Sequence, residues 1–279
     1  MTYDLVRQVL DGVDADCKAR ATPYKRDYFR ASEAGKCGRQ ILHGMFGSTP
    51  LPFAVQGKLV VESGDLHHSA TRARLRKFGI QVEGEEEDYI WSRELDGKEA
   101  YKIKARIDGR VRLRASGKGV LKDKTHALLE VKSFSVYFEK GFAKAVAAEA
   151  EEDADGYLWP RSEWSAQVIW PDYMAQTQIS LEICGLDVAY FIPVFRDSGW
   201  LGLSGRGLVI PRSQDYINRI LSRLDNLYRY YMAEELVEPE YQPNSRECGF
   251  CSYWGDCWGE RLGIPQKRMG GDKYAELSG

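Results

Sequence analysis

The stretch "YKIKARIDGRVRLRA" (101–115) constrains the fold of this chain more than any other. Its residues alternate with period two: Ile103, Ala105, Ile107, Val111 and Leu113 point one way, while Lys102, Lys104, Arg106, Asp108, Arg110, Arg112 and Arg114 point the other. Such alternation predicts a sheet with one apolar and one charged face. "SGKG" (116–119) is read as a turn, and "HALLEVKSFS" (126–135) returns as a more buried strand. Residues 89–133 are therefore expected to form an antiparallel meander.

Around this meander the sequence predicts mostly helices. Residues 1–57 read as helix and loop with the basic stretches "KARATPYKR" and "GKCGRQ". "ESGDLHHSATRARLRKFG" (62–79) reads as a helix ending near Gly79, with Leu66, Ala70, Ala73 and Leu75 available to the core. "EGEEED" (83–88) reads as a solvated turn, and "VAAEAEEDADG" (146–156) as an acidic, mobile connection. "WPDYMAQTQISLEICG" is a helix opened by Pro171 and stopped by Gly185. "VAYFIPVFRD" is a strand. Residues 213–236 form an amphipathic helix capped by Ser213, with Ile217, Ile220, Leu221, Leu224, Leu227, Tyr228 and Tyr231 along one face. No internal repeat is present, and 263–279 reads as a polar tail.

Composition excludes several classes. With 43% hydrophobic, 29% charged and 12% aromatic residues, the 279-residue chain is an ordinary globular protein, neither disordered nor fibrous. No apolar run approaches the roughly 20 residues of a membrane helix, and the start lacks the layout of a signal peptide, so a cytoplasmic protein without membrane association is expected. Six cysteines, three of them clustered, suggest metal rather than a disulfide framework. The net charge of −2 argues against a generally basic nucleic-acid coat. Yet from Lys98 to Lys124 ten Lys/Arg face three Asp/Glu, a local excess suited to a phosphate backbone.

The chemistry-bearing residues lie on the meander. Asp108 sits on one strand; Glu130 and Lys132 sit on the next, two apart and so on one face. Cleaving a phosphodiester calls for a hard divalent cation, and two carboxylates from neighbouring strands would hold one while leaving positions for water and substrate. A lysine beside them can orient the attacking water and offset negative charge in the transition state.

This order, Asp, then Glu-x-Lys, then a glutamine-bearing helix, resembles the PD-(D/E)XK nuclease superfamily. The resemblance runs from about Ser32 to Trp258 and implies an α/β (α+β), restriction-endonuclease-like core, a mixed central sheet flanked by helices. "YMAQTQIS" (173–180) is similar to the glutamine motif of the lambda-exonuclease group, which implies Gln176 as the active-site glutamine with Gln178 as a helper. On a helix two steps of about 100° separate these side chains by roughly 200°, so both cannot face the metals. "GDLHH" is similar to the Gly-x3-His of RecB-like relatives, implying His68, read from Gly64, as a further metal ligand, with His67 an adjacent competitor. Imidazole is softer than carboxylate and would favour Mn²⁺ alongside Mg²⁺. The implied metal set is His68, Asp108, Glu130 and the carbonyl of Val131. The implied catalytic set is Asp108, Glu130, Lys132, Gln176 and His68.

"KCGRQ" carries Cys37, and "RECGFCSYWGDCWG" carries Cys248, Cys251 and Cys257 in a C-x2-C-x5-C run. This pattern resembles the [4Fe–4S]-bearing RecB-like and CRISPR-associated branch of the superfamily, implying a cluster held by those four cysteines. Such ligation would join segments 211 positions apart into a clasp coupled to folding. Zinc is the alternative, though four cysteines more usually bind it as two close pairs. Tyr253 and Trp254 would shield the cluster or belong to the core; Cys17 and Cys184 match nothing and read as free thiols.

The resemblance thus implies a single nuclease domain: an N-terminal segment (1–57) with the first cysteine, a core (58–212), a C-terminal helix and cysteine cluster (213–262) and the tail. It implies a Mg²⁺- or Mn²⁺-dependent DNA exonuclease, 5′-to-3′ on single strands, in DNA repair or recombination. Expected partners are DNA ends and a helicase, recombinase or CRISPR adaptation proteins. The competing readings are a DNA-binding subunit of such a complex and an endonuclease or nickase with the same site. The long interval from Asp108 to Glu130 implies an extended hairpin.

Overall fold

The computed structural model describes residues 5–114, 125–203 and 205–263. The turn expected at 116–119 and the tail beyond Gly263 lie outside them. The chain forms two compact units. In chain order its elements begin with α1 (Leu5–Arg20), β1 (Tyr28–Arg30), α2 (Gly38–Phe46), α3 (Val55–Lys77), β2 (Val82–Glu83), β3 (Asp88–Leu95), β4 (Lys98–Arg106), β5 (Gly109–Leu113) and β6 (Thr125–Phe134). They continue with α4 (Glu139–Glu149), β7 (Ala150–Glu152), β8 (Leu158–Pro160), α5 (Pro171–Cys184), β9 (Val188–Phe195), β10 (Trp200–Leu201), β11 (Leu208–Pro211), α6 (Gln214–Met232), α7 (Arg246–Gly249) and α8 (Glu260–Leu262).

The first unit takes Met1–Tyr28, Lys36–Glu62 and Asp225–Gly279. Helix α2 buries Ile41, Leu42, His43 and Met45 and stops where Gly47 turns left-handed at φ 78°. Its N-terminus is held by distant acceptors: the Gly38 N–H donates to Glu240 Oε1 at 3.0 Å, and Arg39 donates to the Val237 carbonyl at 2.9 Å. The first bond answers a helix-end N–H that has no partner within the helix, and the second is made by the Arg39 guanidinium.

The second unit takes Phe29–Gly35 and Ser63–Leu224. It contains a mixed eight-stranded sheet with the path β2-β5-β6-β9-β11-β8-β7, β10 pairing with β9. Strands β6 and β9 run parallel at its centre, with Glu130 opposite Phe191, while β5 and β11 flank them antiparallel. One face packs Leu128, Phe134, Phe191 and Phe195 with Phe142 of α4 and Leu181 of α5. The other collects Val111, Leu113, Leu129, Val131, Ile192 and Val194, with Leu75 of α3 against it. Glu130 and Lys132, two and four residues past Leu128, share the face that carries α4 and α5. Helix α5 begins and ends as expected, Gly185 closing it at φ 63°. Helix α6 begins as expected, the Ser213 hydroxyl accepting from the Tyr216 N–H at 3.3 Å, but stops at Met232, short of the expected 236.

The expected meander divides. Strand β4 pairs with β3 in a separate three-stranded sheet, order β1-β4-β3, whereas β5 and β6 belong to the large one. The alternation survives the break, since Tyr101, Ile103, Ala105, Ile107, Val111 and Leu113 are all buried. What breaks is the pairing, at Ile107–Asp108, and Gly109 permits it. Its φ of 146° lies outside the range favoured by L side chains, and a Cβ there would stand 2.6 Å from Val82 Cγ1.

Three other expectations are corrected. Helix α3 starts at Val55, itself buried; further along, Thr71 and Arg72 are buried while Leu66 is 72% exposed and Ala73 exposed. Of the expected core residues Leu75 packs on the apolar sheet face, whereas the helix around Arg72 meets charged groups. The acidic turn at 83–88 is not merely solvated, because Glu85 and Glu86 pair with Arg72 at 3.5 and 2.7 Å. The acidic 146–156 stretch is ordered as the end of α4 and the edge strand β7. There Asp153 accepts from the Asp155 and Tyr157 N–H groups and from the Trp159 indole.

Gln178, 2% exposed, braces the junction of β11 and α6: its amide donates to the Pro211 carbonyl at 2.8 Å and accepts from the Ser213 N–H at 2.9 Å. Replacing it orphans two polar groups in a nearly dry position. Gln178→Leu is expected to cost about 1–3 kcal/mol, read as a lower urea midpoint; an unchanged midpoint would contradict this bracing role.

Candidate active site

Asp108 occupies the break between β4 and β5, where no ladder partner constrains its side chain. Its Oδ2 accepts from the Val131 N–H at 2.7 Å, beyond the last β5–β6 pair, Gly109 with Leu129. The carboxylate thereby caps an exposed end of the ladder. Its Oδ1 lies 3.1 Å from His68 Nδ1 and 3.6 Å from an Arg72 guanidinium nitrogen. The contact is made by His68 rather than His67. Gly64 lies one turn earlier on α3, so close to β6 that a Cβ would meet Ser133 Oγ at 3.3 Å.

Glu130 is 2% exposed and in ion-pair contact with Lys132 Nζ. Its Oε1 is the oxygen that faces the Lys132 ammonium. Lys132 Nζ donates to Gln176 Oε1 at 3.3 Å and stands 5.1 Å from the centre of the Tyr173 ring. The fold therefore gathers His68, Asp108, Glu130, Val131, Lys132 and Gln176 in the second unit. It turns Gln178 away from them, as the angle between the two glutamines requires.

Environment drives the two carboxyl groups apart. Burial raises Glu130 above the ordinary carboxylate range, and the Asp108 charge adds to this against the opposing pull of Lys132. Burial also pushes Asp108 up, but its hydrogen bond with His68, the charges of His68 and Lys132 and the Val131 N–H outweigh that and leave it lowered. Lys132 is raised: burial pulls it down, and the Glu130 and Asp108 charges more than offset this. A fixed cation next to carboxyl groups of unlike acidity suits phosphoryl chemistry.

Among the described residues, no group of three or more His, Cys, Asp or Glu side chains stands in metal-binding geometry. The donors instead contact one another, His68 with Asp108 and Lys132 with Glu130. In kind the set fits a hard divalent cation: two carboxylates, that of Glu130 buried, and an imidazole.

The sequence reading missed Arg72, although one helical turn from His68 was a usable signal. Its side chain is 7% exposed and bridges Asp108 to Glu85 and Glu86. It also misjudged the basic face. Arg106 lies near Glu86 and Asp88, Arg110 near Glu87 and Arg112 near Glu83, so the acidic turn offsets much of the local charge.

The four cysteines of the expected clasp all belong to the first unit. The charges of Cys257, Cys37 and Cys248 are felt at Cys251, whose thiol is pushed up to about 12 first by burial and then by those neighbours. Cys257 receives a hydrogen bond from Arg39 and lies 3.8 Å from His43 Nε2, while the Tyr253 N–H donates to Cys251 Sγ at 3.4 Å. His43 stacks on Tyr253 at 5.3 Å, and its Nδ1 meets Ser48 Oγ at 2.9 Å. Trp254 is buried, with its indole donating to the Pro243 carbonyl at 3.0 Å. Four soft thiol donors, two of them already receiving N–H groups, fit an iron–sulfur cluster in kind.

No family model and no curated protein matches the chain. Among solved structures it is similar to SSO0001, with TM-score 0.48 and 13% identity over 92% of this chain and 98% of that one. It is also similar to the alkaline exonuclease LHK-Exo from Laribacter hongkongensis, with TM-score 0.46 and 16% identity over 80% and 93%. The LHK-Exo complex with dAMP gives 0.45 and 16% over 75% and 89%. At TM-scores below 0.5 these likenesses carry no argument, and the reading of the site rests on its own geometry. Among the described residues no helix is long and apolar enough to cross a membrane.

Arg72→Met would leave Asp108, Glu85 and Glu86 without their buried counter-charge. Breaking such a buried pair typically costs about 3–5 kcal/mol, so a large fall in the urea midpoint is expected; an unchanged midpoint would contradict the bridging role.

Proposed function

We propose that this chain is a Mg²⁺- or Mn²⁺-dependent deoxyribonuclease that releases nucleotides from DNA ends, acting 5′-to-3′ on single strands. One observation carries the reading: Asp108, Glu130, Lys132, His68 and Gln176, drawn from four separated stretches of sequence, meet in one half-buried cluster. A purely structural ion pair needs neither the histidine nor the glutamine. His68, Asp108, Glu130 and the Val131 carbonyl are the residues that would hold the cation. When bound, the cation supplies polarisation of the phosphate and acidification of a water. Lys132, kept protonated by Glu130 and Asp108, presents positive charge to the phosphate oxygens. Gln176 fixes the Lys132 ammonium and offers an amide to the substrate or the attacking water. Val131 and Arg72 orient Asp108.

In the same reading Cys37, Cys248, Cys251 and Cys257 hold a [4Fe–4S] cluster that staples the first unit and takes no part in hydrolysis. The support is that Cys37, from the N-terminal stretch, shares one electrostatic neighbourhood with Cys248, Cys251 and Cys257.

Digestion of 5′- and 3′-end-labelled linear DNA beside circular single-stranded DNA, with Mn²⁺, tests the activity. Nucleotides are expected from the 5′ ends while the circle survives, and Glu130→Ala and Lys132→Ala are each expected to lose about 100-fold or more. Full activity in either variant would sink the site, and cleavage of the circle would make the enzyme an endonuclease. For the cluster, anaerobically purified protein is expected to be brown, and Cys257→Ala to lose both colour and thermal stability. A colourless protein with stoichiometric zinc would overturn the iron–sulfur assignment.

A further inference from the structure

Beside the proposed catalytic cluster lies a feature that hydrolysis does not use. A cleft of about 320 Å³ opens between the start of α4 and the start of α5, lined by Phe134, Tyr137, Phe138, Phe142, Gln167 and Trp170. With Gly141 and Val168 they make eight lining residues, five of them aromatic. Its outer rings are uncovered, Tyr137 being 92% and Phe138 46% exposed. A surface tyrosine and phenylalanine side by side gain nothing from folding while their faces stay in water.

Ring contacts join the cleft to the catalytic cluster. Phe138 meets Trp170 edge-on at 5.5 Å, Trp170 stacks on Tyr173 at 5.3 Å with 26° between the planes, and Lys132 Nζ lies 5.1 Å from the Tyr173 ring centre. Phe134, two residues after Lys132 on the same strand face, closes the inner wall against Trp170 at 5.8 Å. Aromatic faces thus run from open surface to a buried ammonium within a few ring widths. Lys140 and Lys144 stand exposed one turn apart on α4, which contributes Phe142 to the cleft, with Glu139 the acidic residue of that first turn. A nucleotide is a π face joined to an anion, and this surface offers π faces joined to cations.

We infer that this aromatic cleft is a base-stacking subsite that holds an unpaired nucleobase of a DNA strand whose scissile phosphate lies at Lys132 and Glu130. The inference rests on the nuclease reading above and specifies its substrate as a single strand whose bases are splayed from a partner. The volume accommodates one base, since ligand sites begin at about 300 Å³. Stacking is sequence-tolerant because every base has a π face, so the subsite grips any sequence. A duplex end would have to unpair its terminal base to enter.

The test uses the whole protein with the single variant Tyr137→Ala, the double variant Tyr137→Ala/Phe138→Ala, and Tyr137→Trp, which keeps a ring. Both truncated rings are surface residues, so folding should be preserved. Steady-state degradation of a single-stranded oligonucleotide is compared with that of the same strand bearing abasic residues near its end. Base stacking is worth about 1–3 kcal/mol per base, so the double variant should raise KM about tenfold or more on the intact strand with kcat little changed. Tyr137→Ala alone should give a smaller rise, and Tyr137→Trp should restore the wild-type KM. On the abasic strand the wild type and double variant should behave alike. Quenching of 2-aminopurine in the oligonucleotide on metal-free protein provides a readout independent of cleavage.

If the wild type degrades no DNA yet quenches 2-aminopurine and the double variant does not, the subsite stands and the nuclease reading fails. If the wild type degrades DNA while the double variant keeps the wild-type KM, the subsite fails and the nuclease reading stands. Absence of both degradation and quenching defeats both. A change from dimer to monomer in the double variant would overturn the inference in favour of a protein partner on this face.

Discussion

The hydrogen bond from the Val131 backbone to Asp108 Oδ2, at 2.7 Å, joins the framework of the second unit to its chemistry. It answers a strand N–H that β5 no longer reaches, so the carboxylate completes a backbone ladder and faces the cluster at once. The requirements converge on residues 107–109. The chain must leave one sheet and enter another, which Gly109 allows, and Asp108 must stand in the gap. His68 and Arg72, one turn apart on α3, hold its other oxygen, and the acidic turn holds Arg72. A change at any of these points moves Asp108 and, through it, the relation of His68 to Glu130.

Much of this was legible in the sequence. Period-two alternation identified the buried residues from Ile103 to Leu113, and the Pro171–Gly185 punctuation delimited α5. The spacing in ExK put Glu130 and Lys132 on one face. Helical geometry separated Gln176 from Gln178, and the structure assigns Gln178 a backbone-bracing position. What the pattern concealed was the division of the meander, because burial continues in phase across Ile107–Asp108 while the hydrogen-bonding partner changes. Periodicity reports which way a side chain points and is silent on which strand lies alongside.

The reading of α3 held at Leu75 and failed at Leu66 and Ala73 for a related reason. Apolar residues were assigned to the buried face, whereas Thr71 and Arg72 lie buried and Leu66 faces solvent. A helix that serves a charged site inverts the ordinary rule, and its arginine survives burial because three carboxylates surround it. The acidic turn looked like a solvated loop for the same reason: its partners are distant in sequence. In the first unit, short motifs named the four cysteines and the arginine two positions after Cys37, but His43 beside Cys257 emerged only from the packing of α2.

The account stands on Asp108 and Glu130 being ligands of one divalent cation rather than partners in a buried ion-pair network. Titrating Mn²⁺ into the protein and following the free-ion EPR signal decides between these. Wild-type protein is predicted to bind Mn²⁺, and Asp108→Asn, which keeps the size and an acceptor for the Val131 N–H, to weaken it by about tenfold or more. Equal Mn²⁺ affinity in the two proteins would contradict the account.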